Sequence, residues 1–204
     1  MLTAERLLVY NNSMKVLGIL GSPRIGGNTD ILLDYVLSGA RSEQVEVEKV
    51  ILGKLHFAPC LECEDTQDDG KCLINDDMQM LYQKINRCDA IILASPIFFG
   101  SLSSQTKMMI DRFQCLWQAK YIRKAYKPEK ERLGGFISVE ATRRADFFEN
   151  AKAIVKNFFA TIDAIYKEEL LCPGIEKKGE ILEHKDHLEK AFEMGRRIIM
   201  PRTN

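Results

Sequence analysis

Short apolar runs alternate with longer segments of helical period along most of this chain. Aliphatic and β-branched runs stand near 15-20, 45-51, 89-94, 132-139 and 162-170, and helical patterns lie near 28-41, 76-87, 102-118, 144-160 and 183-199. Five strands alternating with five helices predict a parallel sheet covered on both faces. The run Asp89-Ala90-Ile91-Ile92-Leu93-Ala94-Ser95-Pro96 has no polar alternation until its end, the pattern of a central strand buried on both sides, and it is expected to stop at Ser95-Pro96. Parallel doubly wound sheets bind ligands at the carboxyl ends of their strands. The loops 21-28, 95-104 and 138-144 therefore share the edge where a site is expected.

At 204 residues the chain has the length of one domain with a sizeable core. Residues 14-204 form the predicted domain. Residues 1-13 read as an N-terminal extension: a small extra helix, an oligomer arm, or an upstream start before Met14. Lys plus Arg equals Asp plus Glu at 29 each, so the chain lacks the basic face that nucleic acid or an anionic membrane requires. Six cysteines without a leader or a long uncharged apolar run predict a reduced, cytoplasmic protein.

The chemistry concentrates after the first strand, in Gly21-Ser22-Pro23-Arg24-Ile25-Gly26-Gly27-Asn28-Thr29. A helix N-terminus offers unpartnered N–H groups and a partial positive charge, and glycines let an anion approach it. Ser22, Asn28 and Thr29 add neutral donors, and Arg24 adds a charge. The loop has neither GxxxxGK[ST] nor GxGxxG, so a single phosphate monoester suits it better than a nucleoside triphosphate or dinucleotide. Taken alone, Asn28 or Thr29 also fits a plain helix cap.

Together with Ser95-Pro96-Ile97-Phe98-Phe99-Gly100-Ser101-Leu102-Ser103 and Lys107…Asp111-Arg112, this loop resembles the flavodoxin-like NADPH-dependent FMN reductase family, from about Met14 to residue 199. The resemblance implies an α/β flavodoxin-like fold: a doubly wound five-stranded parallel sheet of order 2-1-3-4-5 with helices on both faces. It implies FMN as cofactor and NADPH or NADH as co-substrate. The phosphate loop would fall on Ser22, Arg24, Gly26, Asn28 and Thr29, and the flavin-ring loop on Pro96, Ile97, Phe98, Phe99 and Gly100. From the third edge loop, Ser138 and Glu140 join the expected cofactor-binding set. An isoalloxazine ring wants apolar packing with backbone polar groups at its rim, which Phe98, Phe99 and Gly100 offer. Adjacent residues on a strand point apart, so one of the two phenylalanines also fits the core.

The expected activity is electron transfer from NAD(P)H through bound flavin to a small acceptor such as a quinone, free flavin, nitro or azo compound. The cofactor carries the hydride, so no catalytic acid or base is nominated. The rival classes are an iron–sulfur flavoprotein-like or flavodoxin-like electron-transfer protein and a redox sensor using Cys60 and Cys63. Arg143 and Arg144 follow the fourth strand and can meet the extra phosphate of NADPH, or be solvated at a helix start. The resemblance also implies a homodimer or higher homo-oligomer, and the apolar and aromatic stretch 113-126 offers a surface for it.

Cys60-Leu61-Glu62-Cys63 and Cys72 form a separate group. Iron–sulfur flavoproteins similar to this family carry a compact four-cysteine motif at this place, and here Thr66 stands three residues after Cys63 where a further thiolate belongs. Three thiolates with Asp65 or Asp68 would be an uncommon site, so free thiols and no metal are expected. Cys88, Cys115 and Cys172 read as small core residues, and His184 and His187 as surface residues. Lys107 and Asp111, four apart on a helix, are expected to form an ion pair.

Overall fold

The computed structural model describes residues 14–63, 69–126 and 130–200. The predicted extension 1–13 lies outside them, as do Asp65, Thr66 and Asp68. The elements run β1 (Lys15–Leu20), α1 (Asn28–Ser42), β2 (Glu46–Ile51), α2 (Met78–Arg87), β3 (Ala90–Phe98), β4 (Ser101–Leu102), α3 (Ser104–Asp111), α4 (Gln114–Trp117), β5 (Arg132–Glu140), α5 (Ala145–Thr161), β6 (Ala164–Pro173) and α6 (Lys185–Ile198). A π-helical turn, Gln118–Ile122, follows α4. Among the described residues no helix is long and apolar enough to cross a membrane.

The α/β class and the parallel core follow the predicted pattern, but the sheet has six strands in place of five. Its parallel path is β2-β1-β3-β5-β6, and β4 pairs back antiparallel on β3. The order is thus 2-1-3-5-6, a correction of 2-1-3-4-5. The extra strand arises because β3 continues past Ser95-Pro96: Pro96 still pairs with Val139, and Ile97 and Phe98 then face Leu102 and Ser101 across a tight hairpin.

The apolar run of β3 feeds both cores. Ile92 and Ala94 pack with Leu33, Val36, Met194 and Ile198 of α1 and α6 on one face. Ile91 and Leu93 pack with Leu81, Ile85, Val155 and Phe159 of α2 and α5 on the other. The segment predicted as one helix over 102-118 is broken between α3 and α4, because Arg112 at the end of α3 is drawn fully inside the protein.

Helices α1 and α6 approach so closely that a Cβ on Gly195 would lie 1.9 Å from the Val36 carbonyl oxygen, and one on Gly39 equally close to that of Phe192. Gly195→Ala gains about 1 kcal/mol of helix propensity. It also forces backbone apart, where overpacking costs about 1–3 kcal/mol. We expect net destabilisation, read as a lower urea midpoint; an unchanged or raised midpoint would show that the helices part freely.

Candidate functional site

Three loops meet at the carboxyl edge, and buried hydroxyls bind them together. The Ser103 hydroxyl donates to Gly21 O at 2.6 Å and pairs with Thr106 Oγ1 at 2.9 Å. The Ser103 N–H donates to Ser95 Oγ at 3.0 Å, and Ser138 Oγ donates to Ser95 O at 2.9 Å. The ends of β1, β3 and β5 are therefore fixed relative to one another. Ser138, expected at the cofactor, is wholly buried with its hydroxyl in this chain of bonds.

The first loop coils tightly into α1. Arg24 N–H donates to Ser22 Oγ at 3.2 Å, Gly27 N–H to Arg24 O at 3.0 Å, and Gly26 N–H to Asp30 Oδ2 at 2.7 Å. Gly26 has φ 69°, a left-handed conformation that suits glycine. A Cβ on Gly27 would stand 2.9 Å from Arg24 O, so that position also needs glycine. Gly27 occupies the N-cap and no side chain caps α1, which leaves its first N–H groups free of side-chain acceptors. The Asn28 amide is engaged elsewhere: it donates to Lys177 O at 2.8 Å and its Oδ1 accepts from Ile181 N–H at 3.2 Å, pinning the loop after β6 onto α1. Lys49 contacts the buried Asp30 at 2.5 Å and offsets its charge. Burial works against the Lys49 ammonium, but Asp30 and Asp34 outweigh it and hold its pKa above the ordinary lysine value.

A cleft of about 240 Å³ opens beside this loop. Ser22, Arg24, Asn28, Thr29, Pro96, Ile97 and Phe98 of the expected set line it, joined by Gly27, Val139, Ala141, Ile175, Glu176 and Lys178. Lys178 is the addition that sequence reasoning missed. Its Nζ lies 4.0 Å from where a Cβ on Gly26 would be, so a second cation besides Arg24 stands over the loop into α1. The Lys177-Lys178 pair just after the last strand was the available signal. Glu140 lies between two lining residues and is 3% exposed. Its Oε1 accepts from Thr142 N–H at 2.9 Å and from the Thr142 hydroxyl, while its Oε2 is buried with no hydrogen-bond partner among the described residues.

The hairpin after β3 carries Phe99 at φ 50° and Gly100 at φ 71° as its two central residues. Both positive angles mark a turn normally filled by Asn, Asp or Gly, and a bulky residue there is strained. Phe99 is nevertheless fully exposed and Phe98 is 40% exposed, so neither phenylalanine is a core residue. Strain of this kind persists where the surroundings impose it, often at functional sites. Gly100 O accepts from Asn150 Nδ2 at 2.7 Å, which holds the turn to α5. Arg144 pairs with Asp146 at 2.7 Å and lies 4.2 Å from the Phe147 ring centroid, while Arg143 leans against Gly174.

A second cluster surrounds Arg112, which is 1% exposed. Its guanidinium grips Asp76 through two bonds of 2.6 and 3.1 Å and donates to Ala58 O at 2.9 Å and Cys72 Sγ at 3.2 Å. Asp76 also accepts from the Ala58 and Met78 N–H groups. Burial opposes the Asp76 carboxylate, but Arg112 and the two N–H donors outweigh it and hold its pKa below the usual aspartate value. All six cysteines are free thiols. Cys60, Cys63, Cys72 and Cys115 line one cavity of about 20 Å³ with Arg112. Burial pushes the Cys115 thiol up to about 12, and its neighbours Cys72 and Cys60 add to the effect. Lys107 and Asp111 form the expected i,i+4 pair at 2.6 Å, half exposed.

A flavodoxin-like sheet with a glycine-rich loop and an aromatic hairpin on one edge is the architecture of a flavodoxin-like α/β protein. The chain belongs to the NADPH-dependent FMN reductase family, whose model matches residues 14–167. It is an oxidoreductase with FMN as cofactor and NAD(P)H as electron donor. It is 36% identical over 146 residues to an iron–sulfur flavoprotein of Methanocaldococcus jannaschii, covering 72% of each chain. It is 32% identical to one of Methanosarcina thermophila, covering 64% of this chain and 65% of the relative. A putative NAD(P)H-dependent FMN-containing oxidoreductase of Bacillus subtilis is 31% identical over 49% of this chain and 52% of its own. Among solved structures, an NAD(P)H:quinone oxidoreductase from Methanothermobacter marburgensis superposes with a TM-score of 0.73 at 16% identity, covering 94% and 99% of the two chains.

The Arg112–Asp76 pair generates a stability prediction. Removing one partner of a buried pair strands the other charge, at about 3–5 kcal/mol. Asp76→Ala is expected to lower unfolding free energy by that amount at pH 7. Because the folded pKa lies below 3.8, the native contribution is complete above that value and fades as pH falls through the folded pKa. Denaturation of both proteins across pH 2–7 checks this; a gap that stays constant into acid would contradict it.

Proposed function

We propose that the protein holds FMN in the cleft at the ends of β1 and β3 and passes electrons from NAD(P)H to a small acceptor, a quinone, free flavin, nitro or azo compound. The observation that carries this reading is one cleft lined by both the coiled loop into α1 and the start of the aromatic hairpin. The first N–H groups of α1, with Ser22 and Thr29, receive the phosphate, and Arg24 and Lys178 balance its charge. Asn28 contributes through its backbone, since its side chain ties down the loop after β6. Pro96, Ile97 and Phe98 pack the ring, and Phe99 and Gly100 shape its rim. Glu140 Oε2 is a free acceptor for a ligand hydroxyl or N–H.

When bound, FMN would accept the hydride of NAD(P)H and hand the electrons on, and the protein binds and orients it. The exposed Trp117, Tyr121 and Ile122 support a homo-oligomer that covers this apolar surface. Six free thiols suit the cytoplasm.

Steady-state oxidation of NADPH and NADH by the FMN-loaded protein, with quinone, nitro and azo acceptors, tests the enzyme reading against an electron carrier. Turnover with at least one acceptor is expected. Reduction by neither donor would contradict it. Arg24→Ala and Lys178→Ala should each weaken FMN binding by about 1.5–3 kcal/mol, the worth of a hydrogen bond to a charged group. Unchanged FMN affinity in both variants would remove the phosphate from this loop.

Arg143 is the better placed of the two arginines to choose between donors, because Arg144 is engaged by Asp146 and Phe147. Arg143→Ala is expected to lower the NADPH-to-NADH ratio of kcat/KM by about tenfold, some 1.4 kcal/mol of phosphate recognition. An unchanged ratio would place the 2′-phosphate elsewhere.

A further inference from the structure

The compact sequence motif contains three thiols, and the fold adds a fourth. Cys115 on α4 lies far along the chain from Cys60, Cys63 and Cys72, yet all four line the same small cavity. We propose that Cys115 supplies, with Cys60, Cys63 and Cys72, the fourth thiolate of a [4Fe–4S] site, in place of the thiol missing at Thr66. The expectation of free thiols rested on counting ligands within one loop, and that count leaves out α4.

The surroundings suit an anionic occupant. The buried Arg112 lines the cavity and donates to Cys72 Sγ at 3.2 Å. Its Nε is buried without a hydrogen-bond partner among the described residues, so part of this cation's donor capacity is unmet. Four thiolates around iron and sulfide concentrate negative charge, and a buried guanidinium beside them offsets it.

Spacing tells against a preformed single-ion site. A tetrahedral zinc with bonds of about 2.3 Å draws its sulfurs to within roughly 4 Å of one another. The one close-set group of potential ligands among the described residues is His184, Asp186 and His187, within 4.8 Å, so no three of these cysteines meet that limit. In a cubane each thiolate binds a different iron, which sets the sulfurs farther apart. The present space of about 20 Å³ holds about one water. Residues 60–63 have no helix or strand, and Leu61 and Glu62 are exposed, so this short stretch can yield without breaking a ladder or a core. Each ligand thiol releases its proton to solvent on binding iron.

The test is anaerobic reconstitution of the FMN-loaded chain with equal amounts of ferrous and ferric iron and with sulfide, which together supply the oxidation level of the cluster. Iron, acid-labile sulfide and the electron paramagnetic resonance of the dithionite-reduced protein are the readouts, with flavin content recorded on the same samples. Wild type and Cys88→Ser, whose thiol lies in the core away from the cavity, are expected to take up a full cluster. Cys115→Ser should lose at least three-quarters of the sulfide, and adding Thr66→Cys to that variant should restore it by completing the compact motif. Failure of wild type to take up sulfide, loading of Cys115→Ser equal to wild type, or zinc binding in place of iron and sulfide would each overturn the proposal. Flavin content reports separately on the cofactor cleft.

Discussion

One serine, Ser103, ties together the ends of β1 and β3 at the carboxyl edge. The Ser103 hydroxyl donates to Gly21 O just after β1 and accepts from Thr106 N–H to cap α3, and the Ser103 N–H donates to Ser95 Oγ on β3. Ser138 extends the same chain to β5. These groups are buried, so each must find a partner inside the protein or carry a desolvation cost. Satisfying one another is what locks three loops into a common position. The contact is so close that a Cβ on Gly21 would fall 1.7 Å from Thr106 Oγ1. The loop into α1 and the aromatic hairpin thus meet as fixed parts of one edge.

The second organising element is ionic. Arg112 breaks the α3–α4 helix, enters the interior and takes Asp76, Ala58 and Cys72 as partners. Tyr82 donates to the Arg112 carbonyl at 2.7 Å, closing the segment onto α2. A buried ion pair is rarely a net source of stability compared with apolar packing. Its value here lies in position: it ties Ala58 and Cys72 to the break between α3 and α4.

Most of the architecture was legible in the sequence because it follows from periodicity. The uninterrupted apolar run 90–94 is central and feeds both cores, and Asn28 does begin α1. What escaped depended on contacts between distant residues. The strand β4 was hidden because Ser95-Pro96 is locally a stop signal, overridden by pairing of Ile97 with Leu102. The break at Arg112 was hidden because its partner Asp76 lies 36 positions away. Within the site, residue type was readable and bonding was not: Ser138 and Asn28 are donors as expected, but their side chains hold other loops. Lys178 and Cys115 reach their clusters through tertiary folding alone.

The central claim is that the cleft recognises flavin through its phosphate. Titration of the apoprotein with FMN and with riboflavin, followed by quenching of flavin fluorescence, tests it most directly. The account predicts that FMN binds at least a hundredfold more tightly, about 2.7 kcal/mol, because only FMN engages the α1 N-terminus, Arg24 and Lys178. Equal affinity for the two flavins would contradict it.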